Sequence, residues 1–183
     1  MVLKNQVGLL LPNYIDQEEI HYTLDQSFHL TADIKDLNPM IEFFDTSFYL
    51  SKNSDLWATY DYDDKKLDLN FKADSINYND QSFHGISLSN NINSSRGTIY
   101  YFVKKARLSD SLAIKNLYLD SYIKPNKFFT NFGWDGNDNI KPALFAFNTN
   151  MLKEKNILTE FFPSFFYLKG EKWDINSNSS VLW

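Results

Sequence analysis

The chain of 183 residues contains no cysteine, an absence that removes disulfide scaffolds, zinc–thiolate centres and thiol chemistry together. A cysteine-free chain suits an exported bacterial segment, although composition alone does not fix the compartment. No apolar run reaches membrane-spanning length: Val7 to Leu11, the best of them, stops at Pro12. There is no excess of positive charge. Eighteen Lys and Arg stand against 23 Asp and Glu, a net charge of −5, and the lysines alternate with aspartates instead of forming a patch, so nucleic acid is not expected as a partner. No stretch has the Pro, Gly or Ser composition of an interdomain linker, and residues 1–183 read as one segment without an internal boundary.

Catalytic and metal motifs are equally scarce. The three histidines, His21, His29 and His84, are scattered over different strand-like stretches, and no pair has a metal-ligand spacing. Asp135, Asn137 and Asn139 alternate as in a calcium loop, but the sixth position is Ile140 instead of Gly and the twelfth is Ala146 instead of Glu, so a plain turn is expected. Asp61, Asp63 and Asp64 run straight into Lys65 and Lys66, which suits a solvated hairpin tip. Neither a Gly-x-Ser-x-Gly nucleophile nor a phosphate-cradling Gly-rich loop occurs. No acidic pair is singled out for glycoside hydrolysis, and acids such as Asp68 and Asp74 fall on the polar register of their strands. No catalytic group, metal or cofactor is expected.

What the chain does have is aromatic and alternating. Aromatics make up 17% and hydrophobic residues 43% of the sequence, pointing to an ordered β-rich protein. Period-two alternation runs through Phe28, Leu30, Ala32 and Ile34, through Leu67, Leu69, Phe71 and Ala73, through Ile86 and Leu88, through Leu117 and Leu119, and through Ala143, Phe145 and Phe147. The unit Leu67–Ser89 returns in Thr98–Asp120, with Ile86 and Leu88 answering to Leu117 and Leu119 31 residues on. A fainter copy starts at Ser27 and a partial one at Ser164. Each unit is two strands and a turn, too small to bury its own apolar face, so neighbours are expected to combine into one continuous lining.

Two segments depart from alternation. Asn38 reads as a helix cap with Pro39 at the first helical position, and Met40, Phe43 and Phe44 share one helical face. Residues 124–134 read as a second short helix or a loop ending near Gly133.

The helix at Leu37–Phe44 after an alternating strand, the Leu67–Ser89 unit ending in Phe83-His-Gly-Ile-Ser-Leu-Ser, and Ser164–Ser177 together resemble the central region of the TamB-like translocation and assembly module proteins, in the AsmA-like group of envelope-bridging proteins. The likeness spans Ser27 to Asn178 through degenerate patterns, without invariant sites. It implies an all-β, elongated, curled sheet, a trough of repeated strand pairs with one or two short helices, excised from a much longer protein anchored in the inner membrane. The implied location is the periplasm. The implied partners are phospholipid acyl chains and outer-membrane assembly proteins, although the membrane anchor and the region that meets an outer-membrane barrel are not recognised in this chain.

The expected lipid-groove residues are Leu67, Leu69, Phe71, Ile86, Leu88, Leu117, Leu119, Phe145 and Phe147. Two rival readings belong to other classes. One is a secreted or surface β-sandwich binding carbohydrate through Trp57, Trp134, Trp173, Trp183 and the tyrosines; the other is a glycan-active enzyme. The discriminating feature is whether the apolar register opens on a groove or closes into a sealed core.

Overall fold

The computed structural model describes residues 10–13, 27–137, 140–153, 156–177 and 179–183. His21, Asn139 and Asn178 lie outside the described residues. The alternating segments form strands: β1 (Phe28–Ile34), β2 (Phe48–Leu50), β3 (Ser54–Asp61), β4 (Lys66–Tyr78), β5 (Gln81–Ile92), β6 (Gly97–Arg107) and β7 (Ala113–Lys124). They continue with β8 (Lys127–Asp135), β9 (Ala143–Met151), β10 (Ile157–Phe161), β11 (Ser164–Leu168), β12 (Glu171–Ile175) and β13 (Ser180–Leu182). A helix, α1 (Asn38–Phe44), stands between β1 and β2.

All thirteen strands belong to one antiparallel sheet, ordered β1-β3-β4-β5-β6-β7-β8-β9-β10-β13, with β2 joined to β4 and the β11–β12 hairpin joined to β9. The sheet is curled and open. This is the all-β sheet of strand pairs that the alternation predicts: the 31-residue shift carries the β4–β5 hairpin onto the β6–β7 hairpin, its neighbour in the sheet.

Residues 124–134 are not a helix. Lys124 and Lys127 close a tight turn with Asn126 at φ 60°, and β8 follows, bonded to β7 on one side and β9 on the other. Two unpaired strand edges on either side outbid a two-turn helix, which has little stability of its own.

The helix at Pro39 is present, but its details differ from expectation. Asn38 lies within α1 and makes no cap bond; Asp36 Oδ1 accepts the Asn38 backbone N–H at 3.1 Å instead. The buried Asn38 side chain reaches across to β2, donating Nδ2–H to the Leu50 carbonyl at 2.9 Å and accepting the Leu50 N–H at 3.0 Å. That amide pair is a substitute for one rung of a sheet ladder. It turns Leu37 and Ile41 onto the apolar cluster of Leu50, Ala73, Ile86, Val103 and Ala106, and Met40, Phe43 and Phe44 outward.

The cluster sits where the strands kink. Gly85 and Asn116 have left-handed backbones, φ 62° and 48°, and around them the inward side chains are spaced by three residues instead of two: Phe83 and Ile86, Val103 and Ala106, Ile114 and Leu117. Val103 and Ala106 are 0% exposed, while Lys104 and Lys105 between them both face water. Register breaks opposite Lys104 keep the apolar side chains on both sides of the kink line on one face, and they join one cluster.

Candidate functional site: the apolar inner face

Cross-strand register assigns the inner face of eight strands. Ala32, Leu56, Phe71, Leu88, Tyr101, Leu119, Phe132 and Phe145 are successive partners across β1, β3, β4, β5, β6, β7, β8 and β9. None of the eight is polar apart from the Tyr101 hydroxyl, and all eight are half-buried, neither sealed nor fully exposed. With strands about 4.8 Å apart, such a row is roughly 34 Å long. Aromatic stacking extends it. The rings of Phe132 and Phe145 lie 6.3 Å apart at 26°, those of Phe145 and Phe166 5.9 Å apart at 22°, and those of Phe166 and Trp173 6.3 Å apart at 20°, carrying the surface onto β11 and β12.

The rows to either side differ in character. Ala73, Ile86, Val103 and Leu117 form the row at the kink, closed over by Leu37 and Ile41 of the α1 segment. On the other side, Leu69, Asn90, Ile99, Ser121, Thr130 and Phe147 mix apolar and polar groups, and Ser121 and Thr130 hydroxyls bond at 3.0 Å. Beyond them Leu67, Ile92 and Ile123 make an apolar margin.

The nine expected groove residues therefore share one face but not one environment. Leu69, Phe71, Leu88, Leu117, Leu119, Phe145 and Phe147 are half-buried, whereas Leu67 and Ile86 are 6% and 5% exposed and belong to packed core. Ala32, Leu56, Tyr101 and Phe132 complete the row that single-strand patterns leave incomplete. Desolvation among these apolar neighbours pushes the Tyr101 phenol above its ordinary pKa.

The outer face carries Lys66, Asp68, Ser87, Ser89 and Asn91 in its register over β4 and β5, and aromatic rings over β6 to β8. Lys66 pairs with Asp68 at 2.8 Å, and that contact raises the ammonium's pKa. Tyr100, Phe102, Tyr118, Asp120, Asn131 and Leu144 gather there around a cavity of about 300 Å³. Gly133 packs against Tyr118 of this lining: a Cβ there would fall 2.6 Å from the Ala143 carbonyl oxygen and 3.0 Å from the Tyr118 hydroxyl. Asn116 Nδ2–H donates to Asp135 at 2.7 Å, so Asp135 is tied into a strand-to-strand contact.

The tryptophans are divided between the faces: Trp57 is on the outer face edge-on to His29, Trp134 and Trp173 join the inner-face ladder through Phe145 and Phe166, with Trp134 donating to the Lys141 carbonyl, and Trp183 is exposed at the end of β13. Among the described residues no group of three or more His, Asp or Glu stands where it could hold a metal ion, and no helix is long and apolar enough to cross a membrane.

Comparison of the chain with known protein families, characterised proteins and solved structures finds no match.

Proposed function

We propose that the chain is a non-enzymatic segment of an envelope-spanning TamB-like protein, whose inner face shields phospholipid acyl chains on their way between the inner and outer membranes. The observation that carries this reading is the row from Ala32 to Phe145, eight half-buried side chains in unbroken register on a sheet that, among the described residues, runs from β1 to β13 without closing on itself. A sealed core would bury that row, and a water-facing sheet would interrupt it with charge. Its length of roughly 34 Å exceeds the ~15 Å that one leaflet of a ~30 Å hydrocarbon layer requires. Each methylene that leaves water for such a surface gains about 0.8 kcal/mol, and sliding along a continuous apolar row needs no catalytic group.

In this reading the charged and polar groups of the outer face keep the segment soluble in the periplasm, and partners in outer-membrane assembly are met by other parts of the protein. The test is native mass spectrometry with lipid extraction on the purified 183-residue chain. Phospholipid that co-purifies with the chain and is displaced by a fatty-acid competitor supports the trough. A lipid-free chain that also fails to take up added phospholipid overturns it.

The carbohydrate reading keeps one observation in its favour, the outer-face cavity of Tyr100, Phe102 and Tyr118 flanked by Asp120 and Asn131. It would be a shallow surface site on a single sheet instead of a sandwich module. Titration with soluble glycans, read by chemical-shift changes at these residues, decides it.

A further inference from the structure

α1 presents two apolar faces, and among the described residues packing uses one. Leu37 and Ile41 enter the cluster at the kink, and the Asn38 amide is bonded to both backbone groups of Leu50. This anchorage fixes the opposite face outward: Phe43 is 83% exposed, Phe44 82% and Met40 65%. The two phenylalanine rings meet edge-on with centroids 5.1 Å apart, a single apolar knob.

We propose that Met40, Phe43 and Phe44 form a membrane-contact surface, inserting into the headgroup–acyl boundary of a zwitterionic bilayer and seating one margin of the trough against it. The inference deepens the trough reading and rests on it for the choice of lipid as the partner.

Area argues against a protein partner. A stable protein interface buries about 800 Å² on each side, and three side chains on a seven-residue helix supply roughly 500 Å². A bilayer sets no such minimum, because each buried side chain gains independently and two aromatic rings reach the depth of an interfacial anchor. Charge selects the kind of bilayer. Residues 33–52 carry Asp33, Asp36, Glu42 and Asp45 against Lys35 and Lys52, and the two lysines are already paired, Lys35 with Asp33 at 2.5 Å and Lys52 with Asp36 at 2.9 Å. An anionic leaflet would repel this acidic surround, and a zwitterionic one would not.

The experiment is flotation of the 183-residue chain with phosphatidylcholine vesicles. The unaltered chain should float, and the double variant Phe43→Ser, Phe44→Ser should partition about tenfold or more less strongly. It should keep its circular dichroism, since neither ring is in the core. Leu168→Ser, at another exposed apolar position, should float like the unaltered chain. Adding phosphatidylglycerol to the vesicles should weaken flotation. The trough reading is read separately by extracted phospholipid: the double variant should retain it, and Leu88→Asp should lose it while still floating. Equal flotation of the unaltered chain and the double variant overturns the proposal. So does a chain that stays off the vesicles, and a concentration-dependent dimer abolished by the double variant would then assign the face to self-association.

Discussion

Gly85 and Asn116 lie 31 residues apart in the chain and take the same left-handed backbone on β5 and β7, flanking Lys104 of the strand between them. They are equivalent positions of the repeat, and both mark the line where the strand register breaks. At Gly85 the kink also has no room: a Cβ would lie 2.8 Å from that of Lys104. Asparagine, with its short polar side chain, is among the few residues that accept the same backbone at position 116.

Gly85→Ala should therefore destabilise the chain by about 1–3 kcal/mol, combining the left-handed penalty with the clash against Lys104. Asn116→Gly should change stability by less than about 1 kcal/mol, since it relaxes the backbone while losing one exposed bond to Asp135. Urea midpoints of the two variants check this. Equal losses would show that the kinks do not matter for stability.

Much of this sheet was legible one strand at a time. β1, β4, β5, β7 and β9 each hold a run of apolar residues at period two, Phe28 to Ile34, Leu67 to Ala73, Ile86 and Leu88, Leu117 and Leu119, and Ala143 to Phe147. β3 and β8 hide because aromatics occupy both faces: Trp57 stands beside Leu56 and Ala58, and Phe129 beside Phe128, so period two is lost. The kinks left a trace in the three-residue spacing of Phe83 to Ile86 and Ile114 to Leu117, which reads as noise without knowledge that Val103 and Ala106 do the same on the strand between.

Position and orientation separated at the helix. Pro39 marks the site, yet both helical faces are apolar, and only the contact of Asn38 with Leu50, twelve residues on, decides which is buried. The lining was half legible for a similar reason. Seven of the nine expected residues are half-buried on the inner face, but the row itself is a property of register between strands, which placed Tyr101 and Phe132 in it and moved Leu67 and Ile86 into packed core.

That division predicts opposite behaviour of neighbouring sites. Leu88→Asp, in the half-buried row, should leave the chain folded and abolish phospholipid co-purification. Ile86→Asp should unfold it or cost more than about 3 kcal/mol, because an unpaired charge would enter packed core. Ser87→Asp, on the outer face, should do neither. Circular dichroism and lipid extraction of the three variants check the pattern, and unfolding by Leu88→Asp would make its site ordinary core.

Asn38→Ala should cost about 2–4 kcal/mol, because it removes two bonds to buried backbone groups of Leu50 and leaves both unpaired. Restoration of urea stability by Asn38→Gln would contradict the geometry, since the longer side chain cannot keep both bonds at their present lengths.

Acid should loosen the same corner. The Lys52 contact, with the bond from the Asn38 backbone N–H, holds the Asp36 carboxyl below its ordinary pKa. A lowered folded value contributes stability above the ordinary carboxylate range, and that contribution is lost as pH falls through the folded value. Asp36→Asn should lower the melting temperature at neutral pH, where that contribution is fully present, and flatten the acid limb of the profile. An unaltered acid limb would remove Asp36 from the account.

Tyr101 reports on the row from its centre, between Leu88 and Leu119. Desolvation raises its pKa, so the neutral phenol is the favoured form in the folded chain. The stability this brings is fully present below the unfolded value and is lost as pH rises through the higher folded value. An acyl chain laid along the row would strip more water from the phenol, so lipid loading should move Tyr101 ionisation to still higher pH. The measurement is the ultraviolet phenolate titration of lipid-loaded and delipidated protein, each taken as a difference from Tyr101→Phe to isolate one tyrosine among 11. An upward displacement on loading is expected. Superimposable difference curves from protein shown to hold lipid would mean that the acyl chains lie elsewhere than on the row of Leu88, Tyr101 and Leu119.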